Sequence, residues 1–144
     1  MDLTQAKTVV EDALGKLGVA PESVLARASS DQVAWAVKRG SAQVLVALQS
    51  RDGATALRLV APVVVFDPAR KDALFARVLE LNADGLAGCA FGVLQDRVVV
   101  VTQRRATGLT ADEVSHLVTT VAAVADTWDD KLVAEFGGKR ASDK

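Results

Sequence analysis

The sequence predicts an α+β fold: a helix, a three-strand antiparallel meander, a second helix, a β-hairpin and a long C-terminal helix. Three observations carry that prediction. The stretch from Thr110 to Phe136 repeats apolar residues at helical spacing. Residues 32–60 alternate with a period of two between turn signals, and residues 86–103 form a second alternating pair rich in glycine, alanine and valine. A chain of 144 residues is expected to form a single domain, here residues 1–138, with a short, polar and disordered tail at 139–144.

The first helix is expected over residues 3–17, where Leu3, Ala6, Val10, Ala13, Leu14 and Leu17 share a face. Asp2 or Thr4 is placed to cap it, and Gly18 stands where a helix-ending glycine belongs. Residues 19–31 stay ambiguous: Pro21-Glu22 opens a turn or two of helix through Arg27, and Ser29-Ser30-Asp31 reads as loop. The first strand of the meander, Gln32–Arg39, sets Val33, Trp35 and Val37 against Ala34, Ala36 and Lys38. Gly40-Ser41 is a hairpin turn with glycine first, and Ala42–Gln49 sets Val44, Val46 and Leu48 against Leu45 and Ala47. After Asp52-Gly53, the third strand sets Thr55, Leu57 and Leu59 against Ala56, Arg58 and Val60. Pro62 interrupts the apolar run towards Val63–Phe66, which predicts an edge or a bulge there.

Asp67-Pro68 starts the middle helix, with aspartate as cap and proline at the first helical position. Its apolar residues Leu74, Phe75, Val78, Leu79 and Leu81 spread over about 160°, wider than one packing face requires. The hairpin Leu86–Gln103 turns near Gln95-Asp96, and its Val98–Val101 strand is apolar on both faces. In the last helix, Val114 through Phe136 keep their apolar residues within an arc of roughly 120°. Thr110 and Glu113 form a T-x-x-E capping box, and Gly137-Gly138 ends the helix. At about 1.5 Å per residue this helix is roughly 40 Å long, enough to cross a sheet.

Composition limits the function classes. Half of the residues are hydrophobic, yet aromatics are confined to two tryptophans and four phenylalanines, so the core is aliphatic. Seventeen basic and eighteen acidic residues give a net charge of −1, which argues against a phosphate-binding surface. A single cysteine excludes an intramolecular disulfide. The N-terminus lacks the basic and apolar regions of a signal peptide, and no apolar run approaches a membrane span, so a cytoplasmic protein is expected.

No residue set points to catalysis, a cofactor or a metal. Cys89 has no base or cationic neighbour in sequence to make it a thiolate, so a buried structural thiol is expected. His116 falls on the polar side of the last helix, facing solvent. Asp126, Asp129 and Asp130 share one helix side, but a single helix without a loop is a poor cation cage, and a solvated acidic face is expected. Gly85, Gly88 and Gly92 lie between helix and strand, the reverse of a phosphate loop, and suggest close approach of a helix or another backbone. Arg104-Arg105 and Lys139-Arg140 lack the interleaved aromatics of a nucleic-acid surface.

The order of elements, at this length, resembles the type III secretion chaperone-like fold. The stretch Leu57-Arg58-Leu59-Val60-Ala61-Pro62, a helix ending Leu79-Glu80-Leu81-Asn82, and Ala125-Asp126-Thr127-Trp128 leading to Phe136-Gly137-Gly138 are similar to its YbjN-type branch. The resemblance implies a non-enzymatic homodimer that holds extended or partly folded segments of other proteins, with the middle helix at the two-fold interface. Leu74, Phe75, Val78 and Leu79 are therefore the expected dimer contacts. The chain departs from dedicated secretion chaperones in being close to neutral, and nothing in it points to a secretion system. The partner surface is expected on the meander face away from the core, at Ala34, Ala36, Leu45, Ala47, Ala56 and Val60, with Lys38 and Arg58 at its margin. The competing reading is a small-ligand domain or enzyme with a pocket between helix and sheet.

Overall fold

In the computed structural model, which describes residues 1–143, alternation and turn chemistry build a seven-stranded antiparallel sheet. Its strands are β1 (Leu25–Ala28), β2 (Gln32–Arg39), β3 (Ala42–Arg51), β4 (Ala54–Val65), β5 (Ala90–Leu94), β6 (Arg97–Arg105) and β7 (Lys139–Arg140). Their spatial order is β1-β2-β3-β4-β6-β5, with β7 paired to β4. The helices are α1 (Leu3–Lys16), α2 (Lys71–Asp84) and α3 (Ala111–Phe136). The expected α+β order holds, and its helices pack on one side of the sheet.

Period-two alternation fixes which side that is. Val33, Trp35 and Val37 of β2, Val44, Val46 and Leu48 of β3, and Leu57 and Leu59 of β4 are all buried. α3 lies across β3, β4 and β6, and α1 packs against α3 and β3. The apolar stripe of α3 supplies the other half of the core: Val114, Val118, Val121, Ala125, Leu132 and Phe136 are buried. Burying each such aliphatic side chain is worth about 1.5–3 kcal/mol.

The helix ends are made locally. Asp2 caps α1 through a reciprocal box with Gln5, at 2.8 and 2.9 Å. At α3, Thr110 accepts from the Glu113 amide at 3.2 Å, but the Glu113 carboxylate pairs with Arg104 instead of closing the box. The Asp67 side chain caps a single 3₁₀ turn, Pro68–Arg70, and α2 begins only at Lys71.

Three further expectations change. Residues 21–28 form a 3₁₀ turn, Pro21–Ser23, and then β1, which pairs with β2 at the sheet edge. β4 runs through Pro62, and the irregularity between Pro62 and Val64 is the bulge expected there. β3 pairs with β4 only as far as Val60, so Pro62 lies past the end of that ladder and keeps only its β6 neighbour, Val99. The vacant side is filled by β7: Val64 faces Arg140, Val65 faces Lys139, and the Ala141 amide donates to the Val63 carbonyl at 2.9 Å. The segment expected to be a disordered tail is thus a strand and turn through Asp143. The expectation for Lys144 lies outside the described residues. Finally, a Cβ at Gly92 would meet only the Val101 and Val99 side chains at ordinary distance, so no helix or backbone requires glycine there.

Candidate functional site

The second face of the sheet carries no helix, and strand register decides what it presents. Ala36 faces Leu45, Leu45 faces Val60, and Val60 faces Val101, giving an apolar row across four strands. In the next row Ala34 faces Ala47, Ala47 faces Arg58, and Arg58 faces Gln103. A third row runs from Gln32 through Gln49 and Ala56 to Arg105. Leu45 is 40% exposed, the largest apolar side chain on this face of the meander.

All six residues expected at the partner surface therefore share one face within three consecutive rows. Ala34, Leu45, Ala47 and Ala56 line a single depression of about 320 Å³, whereas Ala36 and Val60 belong to the adjoining apolar row. Ala34 is only 8% exposed, so it forms floor rather than contact area. One wall was not legible in the sequence. Ala26 and Arg27 of β1 close the depression on its outer side, and Arg27 donates to Gln32 at 3.2 Å. The run Leu25-Ala26-Arg27-Ala28 has one large apolar residue and follows a proline, which leaves too little alternation to mark a strand.

Two further depressions continue the same face. One, of about 490 Å³, is lined by Lys38, Gln43, Pro62, Arg97 and Arg140. The other, of about 740 Å³, includes Arg51, Ala56, Gln103 and Arg105. All three are lined by strand and turn residues.

The titratable residues singled out in the sequence are dispersed. Cys89 lies half-buried in the turn before β5, and burial raises its thiol pKa, which keeps it protonated. His116 is exposed on α3, beside the Thr120 hydroxyl at 3.4 Å. The acidic trio is not uniformly solvated. Asp129 is 6% exposed, and burial first, then the charges of Asp130 and Asp126, push its carboxyl up against the pull of the Asp130 amide and Arg140. Asp126 accepts from Ser41 at 2.5 Å, tying α3 to the β2–β3 turn. The position of Asp129 on the helix points inward, which the sequence reading missed because residue type was weighed above phase.

The four expected dimer contacts separate as well. Leu74 and Val78 are buried within the chain itself. Phe75 is half-buried, edge-on to Phe66 with ring centroids 5.2 Å apart. Leu79 alone stays open, at 66% exposure.

An antiparallel sheet with helices on one side and a bare, shallow apolar face on the other defines a binding scaffold rather than a closed cleft. The chain belongs to the family of T3SS (YopN, CesT) and YbjN peptide-binding chaperones, group 1, whose model matches residues 4–144. Among solved structures it is similar to the ExsC–ExsE complex, with a TM-score of 0.66 and 20% identity over 92% of this chain and 97% of that one. The HopA1–SchA chaperone–effector complex matches at 0.60 with 13% identity, covering 90% and 98%. The heterodimeric ExoU–SpcU complex of the Pseudomonas aeruginosa type III secretion system matches at 0.54 with 12% identity, covering 88% and 97%. No curated protein matches the chain.

Proposed function

We propose that this chain is a non-enzymatic, cytoplasmic peptide-binding chaperone that acts as a homodimer and holds an extended or partly folded segment of another protein. The observation that carries the reading is the registered apolar row Ala36–Leu45–Val60–Val101 on the face that no helix covers. Family membership supports binding of a peptide, and the similar solved structures include chaperone–effector complexes. Small side chains make the face shallow, so it accepts a segment through area rather than by selecting one large side chain.

The competing pocket between helix and sheet has no support in the three depressions described, all of which lie along the open face and its ends. The client is first identified by affinity capture from the native cell and mass spectrometry. Calorimetric titration of the client segment then tests the site. Leu45→Asp or Ala47→Asp is expected to weaken binding at least about tenfold, or 1.4 kcal/mol, with circular dichroism unchanged. Wild-type affinity in both folded variants moves the site off this face.

A further inference from the structure

Charge is sorted by secondary structure in this molecule. None of the eighteen acidic residues lies in a strand; all fall in helices, turns or connecting segments. Basic residues are not excluded in that way. Lys38 of β2, Arg58 of β4 and Arg105 of β6 project from the open face, and Arg27 lines its β1 side. Among the described residues none of these four pairs with a carboxylate. The one acid at the margin of the face depressions is Asp52, in the β3–β4 turn. A chain of net charge −1 thus presents a bare face whose charged strand residues are all cationic.

The shape of the face adds direction. The central depression shares Gln49, Ala56 and Gln103 with the one at the Arg51 end, and the one at the Lys38 end continues along β3 through Gln43. Between Arg51 and Gln43 this track spans roughly 27 Å at the usual strand rise. Its middle is apolar, at Leu45 and Ala47, and cations outnumber acids at its ends, with Lys38, Arg97 and Arg140 at one and Arg51 and Arg105 beside the lone Asp52 at the other. No aromatic side chain stands among these lining residues, so base stacking has no platform.

We propose that the open face takes an extended, acidic protein segment, with small apolar side chains on the Leu45 and Val60 row and carboxylates reaching Lys38, Arg58 and Arg105. This rests on the peptide-binding reading above and names the chemistry of the partner. Exposed ion pairs contribute modestly one by one and are screened by salt, so the selectivity comes from several acting together.

The test uses three labelled synthetic peptides of about twelve residues with the same valine and alanine positions and glutamate, serine or lysine at the rest. Fluorescence anisotropy on the full chain reads binding at low and high salt. The glutamate peptide is expected to bind at least about tenfold tighter than the serine peptide at low salt, a margin of 1.4 kcal/mol that shrinks at high salt. The Lys38→Glu, Arg58→Glu, Arg105→Glu triple variant is expected to lose that margin, binding the glutamate peptide no tighter than the serine peptide. Arg58→Gln alone, at an exposed position, gives a smaller loss in the same direction should the triple variant fold poorly. Equal binding of the glutamate and serine peptides overturns the acidic assignment and leaves the face as a site. Failure of all three peptides to bind, or binding unaffected by Leu45→Asp, overturns the face together with its charge preference. Displacement of the glutamate peptide by an equimolar single-stranded oligonucleotide overturns it in favour of a general polyanion site.

Discussion

Asp129 shows how one residue joins helix phase, burial and titration. It lies on the inner side of α3, its carboxylate accepting the Asp130 amide at 2.6 Å and facing Ser41 at 3.5 Å. Burial raises its folded-state pKa above the ordinary 3.8, so the folded protein holds the proton more tightly than the unfolded chain. Stability from this group is therefore present at low pH and is lost as pH rises through the raised pKa. Asp129→Asn keeps an acceptor for the Asp130 amide and removes the buried charge. The variant is expected to be more stable than wild type at pH 7. That advantage narrows on acidification and vanishes below the unfolded value. Urea midpoints at pH 7 and at about pH 3.5 check this; a lower midpoint for the variant at pH 7 contradicts it.

At the level of elements, the least expected piece is β7, and Gly138 is what lets it form. Gly138 adopts φ +79° directly after the α3 cap, and a Cβ there would strike the Val65 carbonyl oxygen, with the Phe66 Cα at 3.2 Å. The chain thus turns off the helix and passes close to β4 before pairing with it. Gly138→Ala is expected to cost more than about 1 kcal/mol, because strain and a backbone clash act together. It should also abolish hydrogen-exchange protection of the Ala141 amide, which donates to Val63. Gly53→Ala serves as the control, having a similar φ of +78° but open space around the added Cβ. Equal losses in the two variants would show that the close approach to β4 is not what demands glycine.

For the whole molecule, the question is what α2 and β5 face. β5 is the outer strand of the sheet, and α2 packs against it and α3. Leu79 on α2 and Val93 and Leu94 on β5 remain the large apolar side chains open to solvent on these elements. The proposed homodimer covers this region, and Leu79 is the residue that tests it. Phe75 is less suitable, since it already packs on Phe66 and its loss would disturb the protomer. Leu79→Glu is expected to shift the protein from dimer to monomer by sedimentation velocity, with the helical circular dichroism retained. A wild-type protein that sediments as a monomer at micromolar concentration removes the dimer from the model of function.

The sequence by itself determined the elements whose patterns are long and local. α3 is legible from Val114 to Phe136 because a 26-residue helix repeats its apolar phase many times. The β2–β3–β4 meander is legible because alternation and the Gly40-Ser41 turn agree, and that alternation alone places all six candidate contact residues on one face. Tertiary structure decided what short or ambiguous segments do. β1 and β7, of 4 and 2 residues, hold their shape through hydrogen bonds from β2 and β4, which no local pattern announces. It also decided how the wide apolar arc of α2 is divided, since burial of Leu74 and Val78 but not Leu79 depends on where β5 and α3 lie. The exposure of Lys38, Arg58 and Arg105 on the bare face follows the same logic. Residue identities are local, but which strand face stays uncovered is set only when α1 and α3 dock on the other side.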